Sequence, residues 1–203
     1  MAKKIKADLS TEEKIKEAAR KVFIKKGFSA TRTRDIAEEA GMNLALLNYY
    51  FRSKEKLFDI VMLESLQQFL QGMKGVLNNE QLSLNNKINA IVDNYINLLK
   101  THADLPLFIL SEIKANPKKL AVNMDVKNIL IKSHFHTQIA ELTAGKINPL
   151  HIYMNILGMT VFPFVASPLL KIVGDLKQPD FDALMEERKK MIPIWINSML
   201  KLK

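Results

Sequence analysis

Tyr49, Tyr50 and Phe51 stand in a row, and Arg52, Lys54 and Lys56 follow at once. A core segment has no use for the cations, and a solvated face has no use for the rings. The combination asks for a partner that takes both. Residues 1–60 carry 14 Lys and Arg against 9 Asp and Glu, and the remaining 143 residues add only four further positive charges to a formal net charge of +9. The positive density is therefore highest where the rings lie, which points to a polyanionic partner in the first third of the chain.

The elements that must position these groups are helices. With 203 residues, 48% hydrophobic and 25% charged, the chain is long enough to bury a sizeable core. Seven Gly and seven Pro are too few for a turn-rich all-β fold, and no stretch shows sustained period-two alternation. Without Cys there is neither a disulfide framework nor a thiolate metal site, and a cytoplasmic location is expected. The opening lysines have no apolar run behind them, so no signal peptide is expected.

Ser10-Thr-Glu-Glu13 is a capping box, and Ile15, Ala18, Ala19, Val22 and Phe23 follow on one helical face until Gly27 stops it. Short helices are expected over about Arg34–Ala40 and Leu44–Tyr50, the second behind Asn43 as N-cap. Ser53 caps a long fourth helix. After the linker in residues 78–86, helices are expected over Ile88–Leu99, Asp104–Ala115 and Asp125–Ala144. A further start lies at Asn148-Pro149, and a last helix, from Asp180 to about Leu202, is bent at Pro193.

Two short helices joined by a Gly-containing turn make a helix-turn-helix candidate. Ala37 is small where the helices cross, Gly41 stands where the turn needs a permissive backbone, and Met42 and Leu47 point inward with Ile36. With its flanks, the stretch from Lys14 to Phe58 resembles the N-terminal DNA-binding domain of the TetR family of bacterial transcriptional regulators. The matching elements are Ala18-Ala19, Val22-Phe23 and Gly27-Phe28, then Arg34-Asp-Ile-Ala-Glu-Glu-Ala-Gly-Met42, then Tyr49-Tyr50-Phe51 with Ser53-Lys54-Glu55 and Leu57.

The resemblance implies an all-α protein in which residues 1–53 bind DNA and residues 54–203 form a helical ligand-binding and dimerisation domain. It implies a repressor rather than an enzyme, with no cofactor and no metal. Its partners would be double-stranded DNA carrying a palindromic operator, a second copy of itself, and a small apolar or amphipathic effector. DNA contacts are expected from Thr31, Thr33, Asn43, Leu44, Ala45, Asn48, Tyr49, Tyr50 and Lys54. The tyrosines and Lys54 would clamp phosphates, whereas the start of the second short helix would face base edges. Family members usually carry a hydroxyl residue where Arg32 stands, a capping role left here to Thr31 or Thr33. Leu44 and Ala45 can touch a thymine methyl but cannot hydrogen-bond guanine, and Asn48 has a bidentate option toward adenine, so shape readout should matter.

For the effector, Phe108, Phe135, Met154 and Phe162 are the expected contacts. For self-association they are Met185, Ile192, Trp195 and Met199, with the segment from Met154 to Phe162. Residues 147–170 bear no formal charge and are long enough to cross a bilayer. Their Asn148, His151, Asn155, Pro163 and Pro168 instead favour a helix buried in the second domain, kinked or ended near Pro163. Its large side chains either line a cavity or fill a core. Control by a protein partner without a small ligand, and membrane association, are the competing readings; no membrane partner is expected. His134 and His136 point to opposite sides of a helix and make no metal site.

Overall fold

A computed structural model of the chain describes residues 10–201. Their regular structure is twelve α-helices without a strand, the all-α class that the sequence leads one to expect. They divide between Ser65 and Leu66 into two compact units.

In the first unit, α1 (Thr11–Ala30) begins at Ser10, whose Oγ accepts the Glu13 N–H at 3.2 Å. The Glu13 carboxylate pairs with Lys16 at 2.6 Å. Gly27 breaks the helical path at φ 73°, a conformation that costs a residue with a Cβ. α2 (Thr33–Glu39) and α3 (Leu44–Tyr50) enclose a Schellman turn. The Met42 N–H bonds the Ala37 carbonyl at 2.9 Å, the Gly41 N–H bonds Glu38 at 3.0 Å, and Gly41 takes φ 65° between them. α4 (Lys54–Asn78) starts on Ser53, whose Oγ accepts the Lys56 N–H at 3.2 Å. The core joins Ile15, Phe23, Ile36, Leu47, Phe51 and Leu57, all buried, with Phe23 set edge-on to Phe58 at 5.1 Å.

The expected boundary at residues 53/54 and the observed division differ by about three turns of α4. Those turns bury Leu57, Phe58, Val61 and Met62. They also bring Glu64 to Lys16 at 2.6 Å and to Arg20 at 3.2 Å.

The second unit holds the rest of α4, then α5 (Leu84–Thr101), α6 (Leu105–Ala115), α7 (Pro117–Asn123) and α8 (Val126–Leu130). α9 (His134–Leu142), α10 (Pro149–Val165), α11 (Ser167–Val173) and α12 (Gln178–Leu200) complete it. The single helix expected over Asp125–Ala144 is two helices. Asp125 sits at φ 52° between α7 and α8, and Ser133 caps a fresh start by accepting the His136 N–H at 3.2 Å. After α9 both Ala144, at φ 48°, and Gly145, at φ 72°, take the left-handed conformation. His134 and His136 do face different neighbours. The Nδ1 of His134 lies 2.8 Å from the buried Lys87 ammonium, and the His136 ring stacks on Tyr153.

α10 continues through Pro163, ends at Ala166, and meets α11 at 67°. Pro163 has no N–H for the carbonyl of Met159 four residues earlier. Arg188 of α12 replaces it, donating to that carbonyl from Nε at 3.2 Å and Nη2 at 2.8 Å. The same guanidinium lies 5.5 Å from the centre of the Trp195 ring, and burial lowers its pKa. Among the described residues no single helix is long and apolar enough to cross a membrane; α10 and α11 together form one bent apolar pair.

Candidate nucleic-acid interface and apolar cavity

α3 is a short helix with one side in the core. Leu47 is buried, while Ala45, Leu46, Asn48, Tyr49 and Tyr50 are exposed and Leu44 is half-buried. Asn43, also exposed, caps it by accepting the Leu46 N–H at 2.8 Å. Tyr49 is 81% exposed and Tyr50 40%, their rings edge-to-face at 5.4 Å. Two phenols held against each other in water form a rigid platform with apolar faces and hydrogen-bonding tips.

The charges around this helix are sorted. Lys16, Arg20, Lys21 and Lys26 are engaged by Glu13, Glu17, Glu39, Glu64 and Asp35. Among the described residues, Arg32, Arg34, Arg52 and Lys56 form no ion pair, and all four are exposed. They lie at the start of α2 and just beyond the end of α3. Uncompensated cations there leave a positive potential next to the exposed rings, where a polyanion would release their counterions.

Two expected DNA contacts turn inward. Thr31 is 2% exposed, and its hydroxyl donates to the Gly27 carbonyl at 2.7 Å, closing the break in α1. Neither it nor Thr33 caps α2. Instead the Asp35 carboxylate reaches back to the Arg32 N–H at 2.9 Å. That bond, with Lys26 at 3.1 Å, holds Asp35 below its ordinary pKa.

Lys54 is half-buried; its Nζ donates to the carbonyls of Phe28 and Thr31, both at 3.0 Å, and lies 4.2 Å from the Phe28 ring centre. Two of its three protons are thus spent within the protein. Thr33 is half-buried at the start of α2. Arg34 joins Arg52 and Lys56, the two cations that follow the aromatic row directly in the sequence.

In the second unit a cavity of about 650 Å³ opens between the rest of α4 and helices α5, α6, α7, α8 and α10. Leu66, Leu70, Met73 and Leu77 form the α4 wall. No charged side chain lines it, and its only side-chain hydroxyls are those of Tyr95 and Tyr153. Of the four expected ligand contacts, Met154 and Phe162 lie on the wall, and Phe162 is 63% exposed at its edge. Phe135 is wholly buried in the core against Tyr153, and Phe108 is buried outside the cavity lining.

Of the residues expected at a self-association face, Trp195 is exposed. Met185 and Ile192 are buried in the core. The exposed apolar stripe of α12 is Leu184, Met191, Ile194 and Trp195. Met199 is half-buried. Both faces of α12 are apolar, so periodicity alone assigns neither to the core.

Fold and site together define an all-α protein of the helix-turn-helix class with a second helical unit built around an apolar cavity. Residues 15–61 match the family described as bacterial regulatory proteins, tetR family. A probable helix-turn-helix transcriptional regulator of Bacillus subtilis, YttP, is 24% identical over 200 residues, covering 95% of both chains. A TetR/AcrR-family regulator from Thermobifida fusca superposes with TM-score 0.61 at 16% identity, over 90% of this chain and 96% of that one. The regulator FadR from Bacillus subtilis, in complex with stearoyl-CoA, superposes with TM-score 0.57 at 19% identity, over 89% and 96%. Residues 15–61 thus carry the helix-turn-helix domain of the tetR family, and nearly the whole chain is similar to a probable helix-turn-helix transcriptional regulator.

Proposed function

We propose that the protein is a homodimeric repressor that holds a palindromic operator through α3 and is released from it by a small apolar or amphipathic ligand in the second unit. The observation that carries this reading is the charge-free cavity, because one of its walls is the continuation of the helix whose first turn braces the helix-turn-helix. A ligand preferring one arrangement of α4 biases DNA affinity by its differential binding, and DNA biases ligand affinity by the same factor. FadR, a protein of this fold, holds an acyl thioester, which makes acyl compounds the first class to test here. The deciding experiment selects duplexes from a random pool, then measures operator affinity with each lipophilic compound that stabilises the protein thermally. Compounds that bind yet never change operator affinity would remove the switch and leave DNA binding standing.

Asn43, Leu44, Ala45, Asn48, Tyr49, Tyr50 and Thr33 form the DNA face of this reading, joined by Arg34, Arg52 and Lys56. Arg52→Ala and Lys56→Ala are each expected to weaken binding to every duplex alike. Each should flatten the dependence of log K on log salt by about 0.9. Asn48→Ala should instead change the ranking among duplexes. Unchanged salt slopes in both cation variants would place the phosphates elsewhere.

The exposed stripe of α12 is the self-association face of this reading. Ile194→Glu is expected to give a folded monomer in light scattering, since Ile194 is exposed in the single chain. Met185→Glu, on the buried side, should fail to fold stably. A dimer that survives Ile194→Glu and Trp195→Glu together would reject this face.

A further inference from the structure

The cavity wall is almost entirely hydrocarbon, and its two hydroxyls are not equivalent. Tyr153 donates to the Leu130 carbonyl at 2.9 Å and lies 3.4 Å from the Ser133 hydroxyl, which itself donates to Leu130 at 2.6 Å. That phenol belongs to the structure of the α8–α9 turn. Tyr95, on α5, has no hydrogen-bond partner among the described residues. Its ring is fixed edge-to-face against Phe69 of α4 at 4.5 Å. Burial pushes its phenol up to about 12, so it remains a protonated donor at any physiological pH. An occupant that seals this apolar space leaves the phenol a donor without an acceptor, which is unfavourable, unless the occupant brings one acceptor atom of its own. A charged group at the same place would find no counter-charge on the wall.

Resting on the ligand reading above, we propose that the Tyr95 hydroxyl is the specificity anchor of the cavity. The buried part of the ligand is then a hydrocarbon body bearing one uncharged acceptor oxygen, as in an ester, thioester or alcohol. Any ionised part of the same molecule stays outside the cavity.

The test compares dodecane, dodecanol, methyl dodecanoate and dodecanoate by displacement of a lipophilic dye. Wild-type protein is expected to bind the ester and the alcohol about tenfold more tightly than the alkane, and the carboxylate less tightly than the ester. Tyr95→Phe keeps the ring and removes one hydroxyl. It should bind alkane, ester and alcohol alike, at the wild-type alkane affinity, with a melting temperature no lower than that of wild type. An unchanged ester-to-alkane ratio in Tyr95→Phe, or tightest binding of the carboxylate by wild type, overturns the anchor while leaving the cavity as a ligand site. Binding of none of the four by wild type overturns the anchor and the ligand reading together.

Discussion

Lys54→Ala is expected to cost about 2–3 kcal/mol of folding stability, read as a fall in the urea midpoint. The ammonium bonds the carbonyls of Phe28 and Thr31, both beyond the break that Gly27 makes in α1. Charge-assisted bonds of this kind are stronger than neutral ones, and removing the donor strips both acceptors of that partner. The lost contact with the Phe28 ring adds to the cost. DNA affinity should fall as well, on every duplex, because α2 and α4 no longer start from a fixed point. The salt slope should hardly move, in contrast to Arg52→Ala and Lys56→Ala. Unchanged stability with a slope lower by about 0.9 would mean that Lys54 serves a phosphate and that the two carbonyl bonds are incidental.

The second large effect concerns Arg188 and Pro163. Arg188→Met keeps much of the side chain's volume but removes both bonds to the Met159 carbonyl. A loss of about 2 kcal/mol is expected, because the carbonyl has no intrahelical donor to return to. Pro163→Ala restores that donor within α10. In the Pro163→Ala background the cost of Arg188→Met should fall to a fraction of its value, giving a coupling of about 1 kcal/mol or more in a double-mutant cycle. Arg188→Lys should rescue little, since a single ammonium cannot reproduce the two-pronged donation. Additive costs in the cycle would show that Arg188 acts through its contact with Trp195 and not through the orphaned carbonyl.

The helix-turn-helix was legible because its determinants are local. Asn43 and Ser53 cap the helices that follow them, and Gly41 takes the one turn conformation that its type favours. The packing of Thr31 and Lys54 was illegible for the opposite reason. Their partners are backbone carbonyls up to 26 residues away, and no pattern of side-chain types encodes a bond to a carbonyl. The second unit hides its site more deeply. Core and cavity ask for the same apolar side chains, so Phe135 and Phe162 look alike in sequence although one is wholly buried and the other borders an open space. On the double-faced α12, periodicity alone does not tell the exposed Leu184 from the buried Met185. The task of Arg188 is created by a proline on another helix, so the charged run around it does not announce it.

The cavity also bears on how long the protein survives. Space that a ligand can fill is packing that the empty protein forgoes, and two of the helices around it are weakly held. α7 buries no residue, and α8 buries only Ile129. Segments with so little burial open first, exposing backbone to proteases well before the whole unit unfolds. An occupant at a hundredfold excess over its Kd would add about 2.7 kcal/mol to the folded state. An effector of the kind proposed would then regulate abundance as well as occupancy of the operator: the empty form would turn over quickly, and the filled form would persist.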